Sequence, residues 1–147
     1  MKTLLKTSVL ERFLRYVTYD TQSDPNSPSV PSTAKQLVLL DVLVEELKAA
    51  GLTDAVRDES GIVMATLPAN TKKKAVPVIG LLAHVDTSPE MSGANVKPIV
   101  HRNYAGGDLV LPDDRTAVIR VSENPDLAEK KGEDIVTASG TTLLGAD

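Results

Sequence analysis

The sequence is constrained above all by a continuous apolar run, Val78-Ile79-Gly80-Leu81-Leu82-Ala83, which ends abruptly in His84-Val85-Asp86-Thr87. A half-exposed strand alternates apolar with polar residues and a surface helix repeats its apolar residues every three to four, so an unbroken run must bury both of its faces. That is the pattern of a central strand in a sheet covered on two sides. Even taken over residues 76–83, the run falls far short of the roughly 20 apolar residues of a membrane helix.

A covered sheet needs helices, and the N-terminal half supplies two. Val9, Leu10, Phe13, Leu14 and Val17 recur at helical spacing and leave Glu11, Arg12 and Arg15 outward. Asp24-Pro25, Ser27-Pro28 and Val30-Pro31 then impose an extended loop over residues 20–32, because a residue before proline is pushed out of the α region. Thr33 and Gln36 match a capping box, Leu37, Leu40, Leu43, Val44 and Leu47 continue a helical face, and Gly51 offers a left-handed stop. Residues 55–58 and the β-branched stretch within 61–67, closed by Pro68, predict a strand pair. Lys72-Lys73-Lys74 reads as a solvated loop before the apolar run.

After Thr87 the texture is loop-like. Tyr104-Ala105-Gly106-Gly107-Asp108 reads as a turn rather than a phosphate cradle, because no Gly-Lys-Ser/Thr sequence accompanies the diglycine. Short strands are expected at 109–111 and 118–121, a helical turn at 126–131 and a last apolar stretch at 142–144, with no internal repeat.

Composition removes several function classes. The 147 residues fit one domain, and 41% hydrophobic residues with 24% charged describe a globular chain rather than a disordered one. With 16 Lys+Arg against 20 Asp+Glu there is no dense positive face for nucleic acid. The absence of cysteine rules out disulfides, thiolate zinc sites and a cysteine nucleophile, and is compatible with a reducing compartment. Met1-Lys2-Thr3-Leu4-Leu5-Lys6 is followed by charged residues before any signal-peptide core develops, so a cytoplasmic location is expected.

The chemistry is expected where the apolar run ends. Ligands of open α/β sheets gather beyond the carboxyl ends of the strands, and alternation puts His84 and Asp86 on one side with Val85 on the other. An imidazole can ligate a metal while a carboxylate accepts its second ring N–H, although a His-x-Asp pair alone is more often structural than a metal site. His101, in Val100-His101-Arg102, has no carboxylate at comparable spacing and reads as a packing or surface residue. Asp147 ends Leu143-Leu144-Gly145-Ala146-Asp147; its carboxylate suits a hard or borderline cation, or is simply a solvated end.

Taken together, the segments resemble a known family. Leu81-Leu82-Ala83-His84-Val85-Asp86-Thr87-Ser88-Pro89 is similar to the zinc-site signature of the M20 metallopeptidases, in their tripeptide aminopeptidase branch. Thr141-Thr142-Leu143-Leu144-Gly145-Ala146-Asp147 resembles the approach to the family's second metal motif. Glu11-Arg12-Phe13-Leu14-Arg15-Tyr16-Val17, Val30-Pro31-Ser32-Thr33, Met64-Ala65-Thr66-Leu67-Pro68-Ala69-Asn70, and Asn103-Tyr104 with Gly106-Gly107-Asp108 extend the resemblance over nearly all of the chain. It is weakest over residues 112–139, where nothing is transferred.

The resemblance implies two zinc ions, with His84 ligating one, Asp147 bridging both, and Asp86 orienting His84 and tuning the metal. Two metals roughly 3.5–4 Å apart polarise a scissile carbonyl and stabilise the charge that develops on it, here to release the N-terminal residue of a tripeptide. A glutamate is the family's general base, and its glutamate pair and later aspartate and histidine ligands all fall after the position of Asp147. The expected fold is therefore α/β: a mixed sheet with flanking helices, the N-terminal part of a three-layer α/β/α zinc-peptidase catalytic domain. Residues 1–147 would form a partial catalytic domain without the lid domain and C-terminal half, inactive by itself. Its open sheet edge would favour self-association. The alternatives are a related M20 hydrolase acting on dipeptides or N-acyl amino acids, and a non-catalytic interaction module with the same fold.

Overall fold

The computed structural model describes residues 8–145, which divide into two compact units. One is Thr21–Asp86; the other joins the helix α1 (Val9–Tyr16) to the described residues from Thr87 on.

In Thr21–Asp86, helix α2 (Gln36–Ala49) packs on a hairpin made of β1 (Val56–Arg57) and β2 (Val63–Met64). Gln36, Leu39, Leu40 and Val44 are the buried residues of α2, while Leu37, Leu43 and Leu47 are half-buried, so the predicted apolar face is turned by about one residue. Gly51, at φ +96°, ends the helix as its lack of a Cβ permits. The hairpin pairs Val56 with Met64 and Arg57 with Val63, and Gly61, at φ +82°, closes the turn by donating its N–H to the Asp58 carbonyl (3.2 Å). Arg57 Nε donates to Asp41 Oδ1 at 2.6 Å and ties the hairpin to the helix.

Two expectations for this unit need correction. The capping box does not form, because the Thr33 hydroxyl donates instead to the Gln22 carbonyl (2.8 Å) and α2 starts without a side-chain cap. Gln36 reaches back over the loop, its Nε2 donating to Ser32 Oγ (3.2 Å) and Thr33 Oγ1 (3.1 Å). The central strand is also absent: residues 76–86 carry no strand, and Val78, Ile79, Leu81 and Leu82 are 99%, 81%, 96% and 97% exposed. A strand obtains a buried face and satisfied amides only from neighbours, and the sheets formed among the described residues are all two-stranded and recruit none of this run.

The second unit is built on two antiparallel pairs. β3 (Ile99–His101) pairs with β6 (Ile135–Thr137), matching Val100 to Val136. β4 (Leu109–Val110) pairs with β5 (Val118–Ile119), and Pro125–Ala128 forms the short helix α3. The predicted mixed sheet is thus replaced by small antiparallel sheets, which with the helices keep an α/β composition. β3 and β6 were not anticipated, although Ile99-Val100 and Ile135-Val136-Thr137 carry the β-branched signal.

Val17, Val96, Tyr104, Thr137, Ala138 and Ser139 are buried in this unit. Tyr104 is fixed on three sides: its N–H donates to the Glu133 carbonyl (2.8 Å), its carbonyl accepts from the Gly132 N–H (2.8 Å), and its hydroxyl donates to the Gly107 carbonyl. The apolar stretch 142–144 forms no strand. Among the described residues no helix is long and apolar enough to cross a membrane.

Candidate metal centre

The His84–Asp86 pair lies at the end of the exposed run, with side chains 60% and 49% exposed. His84 Nδ1 sits 2.9 Å from the Asp86 carbonyl oxygen and 3.2 Å from Asp86 Oδ1. A proton on Nδ1 satisfies both contacts and leaves the imidazole lone pair on Nε2, the tautomer a metal ligand needs. The two side chains that the spacing places on one side do meet, although the backbone that presents them is not part of a sheet.

Asp147 lies outside the described residues. The chain leading to it is held in the second unit, where the Leu143 N–H donates to the Ser92 carbonyl at 3.1 Å. Gly145, at φ +79°, lies so close to Thr87 that a Cβ there would be 3.6 Å from Thr87 Cγ2. No sequence signal marked Ser92 or Thr87 as the partners that hold this stretch.

The donor chemistry fits zinc in part. An imidazole with its second nitrogen tied to a carboxylate is a suitable ligand, but among the described residues no group of three or more His, Cys, Asp or Glu side chains could hold a metal ion. His101, read as a packing or surface residue, is half-buried, and its Nε2 meets Thr137 Oγ1 at 2.9 Å across the β3–β6 ladder.

The perturbed carboxylates lie elsewhere and brace loops. The Thr66 N–H holds Asp54 below the usual carboxylate range, and the Thr116 hydroxyl and N–H do the same for Asp114. Asp134 is lowered by the Asn103 N–H and then by the Arg102 guanidinium. Asp113 is lowered by hydrogen bonds from Ser139 and Lys97.

No family model matches the chain. Among curated proteins it is 53% identical over 143 residues to peptidase T of Geobacillus sp. (strain WCH70), a span covering 97% of this chain and 35% of that protein. Peptidase T of Geobacillus kaustophilus (strain HTA426) matches at the same identity, over 97% of the chain and 34% of its own length. That of Brevibacillus brevis is 52% identical over 97% of the chain and 35% of its length. Identity of this size along nearly the whole chain gives it a common ancestry with peptidases. It is a homologue of the peptidase T proteins, and it spans about a third of the length of the curated relatives it matches.

Proposed function

We propose that the chain carries the first metal motif of a zinc-dependent tripeptide aminopeptidase of the M20 type. The observation that carries this reading is the His84–Asp86 pair, closed at 2.9 and 3.2 Å, inside a sequence 53% identical to peptidase T. His84 holds a metal through Nε2, Asp86 fixes the ring and its tautomer, and Asp147 supplies a bridging carboxylate. Zinc bound there acts as a Lewis acid on the peptide carbonyl.

Catalytic zinc takes three protein ligands, whereas this reading assigns two residues of the chain as ligands. The chain by itself therefore binds zinc weakly and shows no measurable tripeptidase activity. Its substrate class is small peptides and its place the cytoplasm. The exposed apolar run 76–83, free of charge along its length, pairs with a second copy of the chain when nothing else covers it.

The test is a chimera in which this chain replaces the matched third of Geobacillus kaustophilus peptidase T, assayed on tripeptides, dipeptides and N-acyl amino acids. Tripeptides are the preferred substrates, and Asp86→Ala lowers activity by about 10–100-fold. Preference for either other substrate class, or full activity in Asp86→Ala, would overturn the reading.

A further inference from the structure

The run 76–83 takes no strand partner among the described residues, and every one of its residues is exposed. Its two flanks carry opposite charge: Lys72-Lys73-Lys74 precede it and Asp86 follows it, all of them exposed. Two copies aligned in parallel would set lysines against lysines, whereas an antiparallel alignment sets the lysines of one copy against the acid of the other. A two-fold axis through an antiparallel pair lets only positions of like parity face each other. Pro77 has no N–H to give, so residues 77, 79, 81 and 83 must fall in the non-hydrogen-bonded pairs. Gly80 has no positive φ, and a Cβ there would meet only Leu82 Cδ1, at 4.0 Å, so nothing within the described chain demands a glycine at this position. A glycine in an apolar strand suits the close approach of another backbone. Centred on Gly80, two antiparallel copies pair Ile79 with Leu81, Val78 with Leu82 and Lys74 with Asp86, each twice over. Centring on Ile79 would instead set Val78 against Gly80 and Lys74 against His84.

We infer that two copies of the chain join as an antiparallel, two-fold ladder centred on Gly80, in which Lys74 of each copy pairs with Asp86 of the other. This rests on the reading that the run pairs with a second copy, and adds the register and its reach into the candidate metal centre. Asp86 Oδ1 lies 3.2 Å from His84 Nδ1, so the incoming ammonium group shares the carboxylate that holds the ring. Ala75, at φ +59°, turns the chain between Lys74 and the run; entering the ladder returns it to the β region and relieves a conformation that a residue with a Cβ holds at a cost.

The chain has no cysteine, so introduced cysteines report the register directly. Ile79→Cys and Leu81→Cys, mixed as differently tagged 147-residue chains and mildly oxidised, should form the mixed disulfide, because their Cα atoms stand about 4.5 Å apart in a non-hydrogen-bonded pair. Either variant alone should crosslink at least about tenfold less, since like positions are two residues out of step and about 8 Å apart, beyond the reach of a disulfide. Ready self-crosslinking of Ile79→Cys alone would mean a ladder centred on Ile79, and equal self-crosslinking of both variants a parallel one; either overturns the register. Lys74→Glu should weaken association at least about fivefold by sedimentation, and Lys74→Glu combined with Asp86→Lys should restore it. Both positions are exposed, so these variants probe pairing rather than folding, and a charge reversal without effect would overturn the ion pair. The His84 ring resonances should shift over the dilution range in which the chain dissociates; resonances that stay still while the mixed disulfide forms would overturn the reach into the metal centre. A chain that stays monomeric throughout would sink the second-copy reading together with this one, whereas association with the wrong crosslinks sinks the register alone.

Discussion

The two units of this chain are held together by different means. Thr21–Asp86 has a helix laid on a hairpin, with Leu39, Leu40, Val44 and Ala55 buried between them, yet the same unit leaves Val78, Ile79, Leu81 and Leu82 almost fully in solvent. The unit running from Thr87 has only four residues in its one short helix beyond α1. It compensates with turns pinned by carboxylates: Asp108 accepts the Val121 N–H (2.9 Å), Asp114 accepts from Thr116 (2.9 Å from its N–H), and Asp134 accepts the Asn103 N–H (3.0 Å). Carboxylates pin turns in Thr21–Asp86 as well, where Asp58 accepts the Ile62 N–H (2.8 Å) and Asp54 the Thr66 N–H (3.1 Å); what sets that unit apart is a helix seated on a hairpin beside apolar surface left in solvent.

That contrast can be broken by mutation. Leu40→Ala should cost about 2–5 kcal/mol by chemical denaturation, because it empties a buried site beside the Gly61 turn. A loss under half a kilocalorie would mean that α2 is not seated on the hairpin. Gly140→Ala should cost about 1–3 kcal/mol, since the new methyl group crowds Leu111 and the Asp114 backbone at a positive φ, and its effect should be confined to amides of the second unit.

Acid should distinguish the units more gently. Asp113, Asp114 and Asp134 lie in the unit from Thr87 on and Asp54 in the other, all held below the usual carboxylate range. A depressed folded pKa contributes stability that is present above the unfolded value and lost as pH falls through the folded one. Weakening should therefore begin below about pH 4 and reach the second unit first. Amide exchange followed from neutral to acid pH would show this, and simultaneous loss in both units would deny it. The smallest effect on stability belongs to Leu82→Lys, within about 0.5 kcal/mol, because the side chain is already 97% exposed. Sedimentation should nonetheless show that this substitution abolishes concentration-dependent association; a variant that associates like the wild type would remove the run 76–83 from the account.

What could be read from the sequence was local. The stripe of α2, the Gly51 stop and the 58–61 turn depend on residues within a few positions of one another. The β3–β6 ladder joins His101 to Ile135, and β-branched residues that far apart announce strands without announcing partners. The run 78–83 shows the same limit from the other side. Its composition does describe a strand with two apolar faces, but burial is conferred by neighbours that composition cannot supply. The His84–Asp86 contact was legible because a separation of two residues suffices for the side chains to meet even outside a ladder. The Asp113 N–H bond to the Ser139 carbonyl (2.8 Å) was not, since it depends on how Ser139 returns beside a loop that sequence reading left blank.

Zinc titration of the chain by calorimetry tests the account most directly. The account predicts weak binding, in the micromolar range or poorer, that disappears in His84→Ala. Nanomolar affinity at a stoichiometry of two, or binding indifferent to His84→Ala, would contradict it.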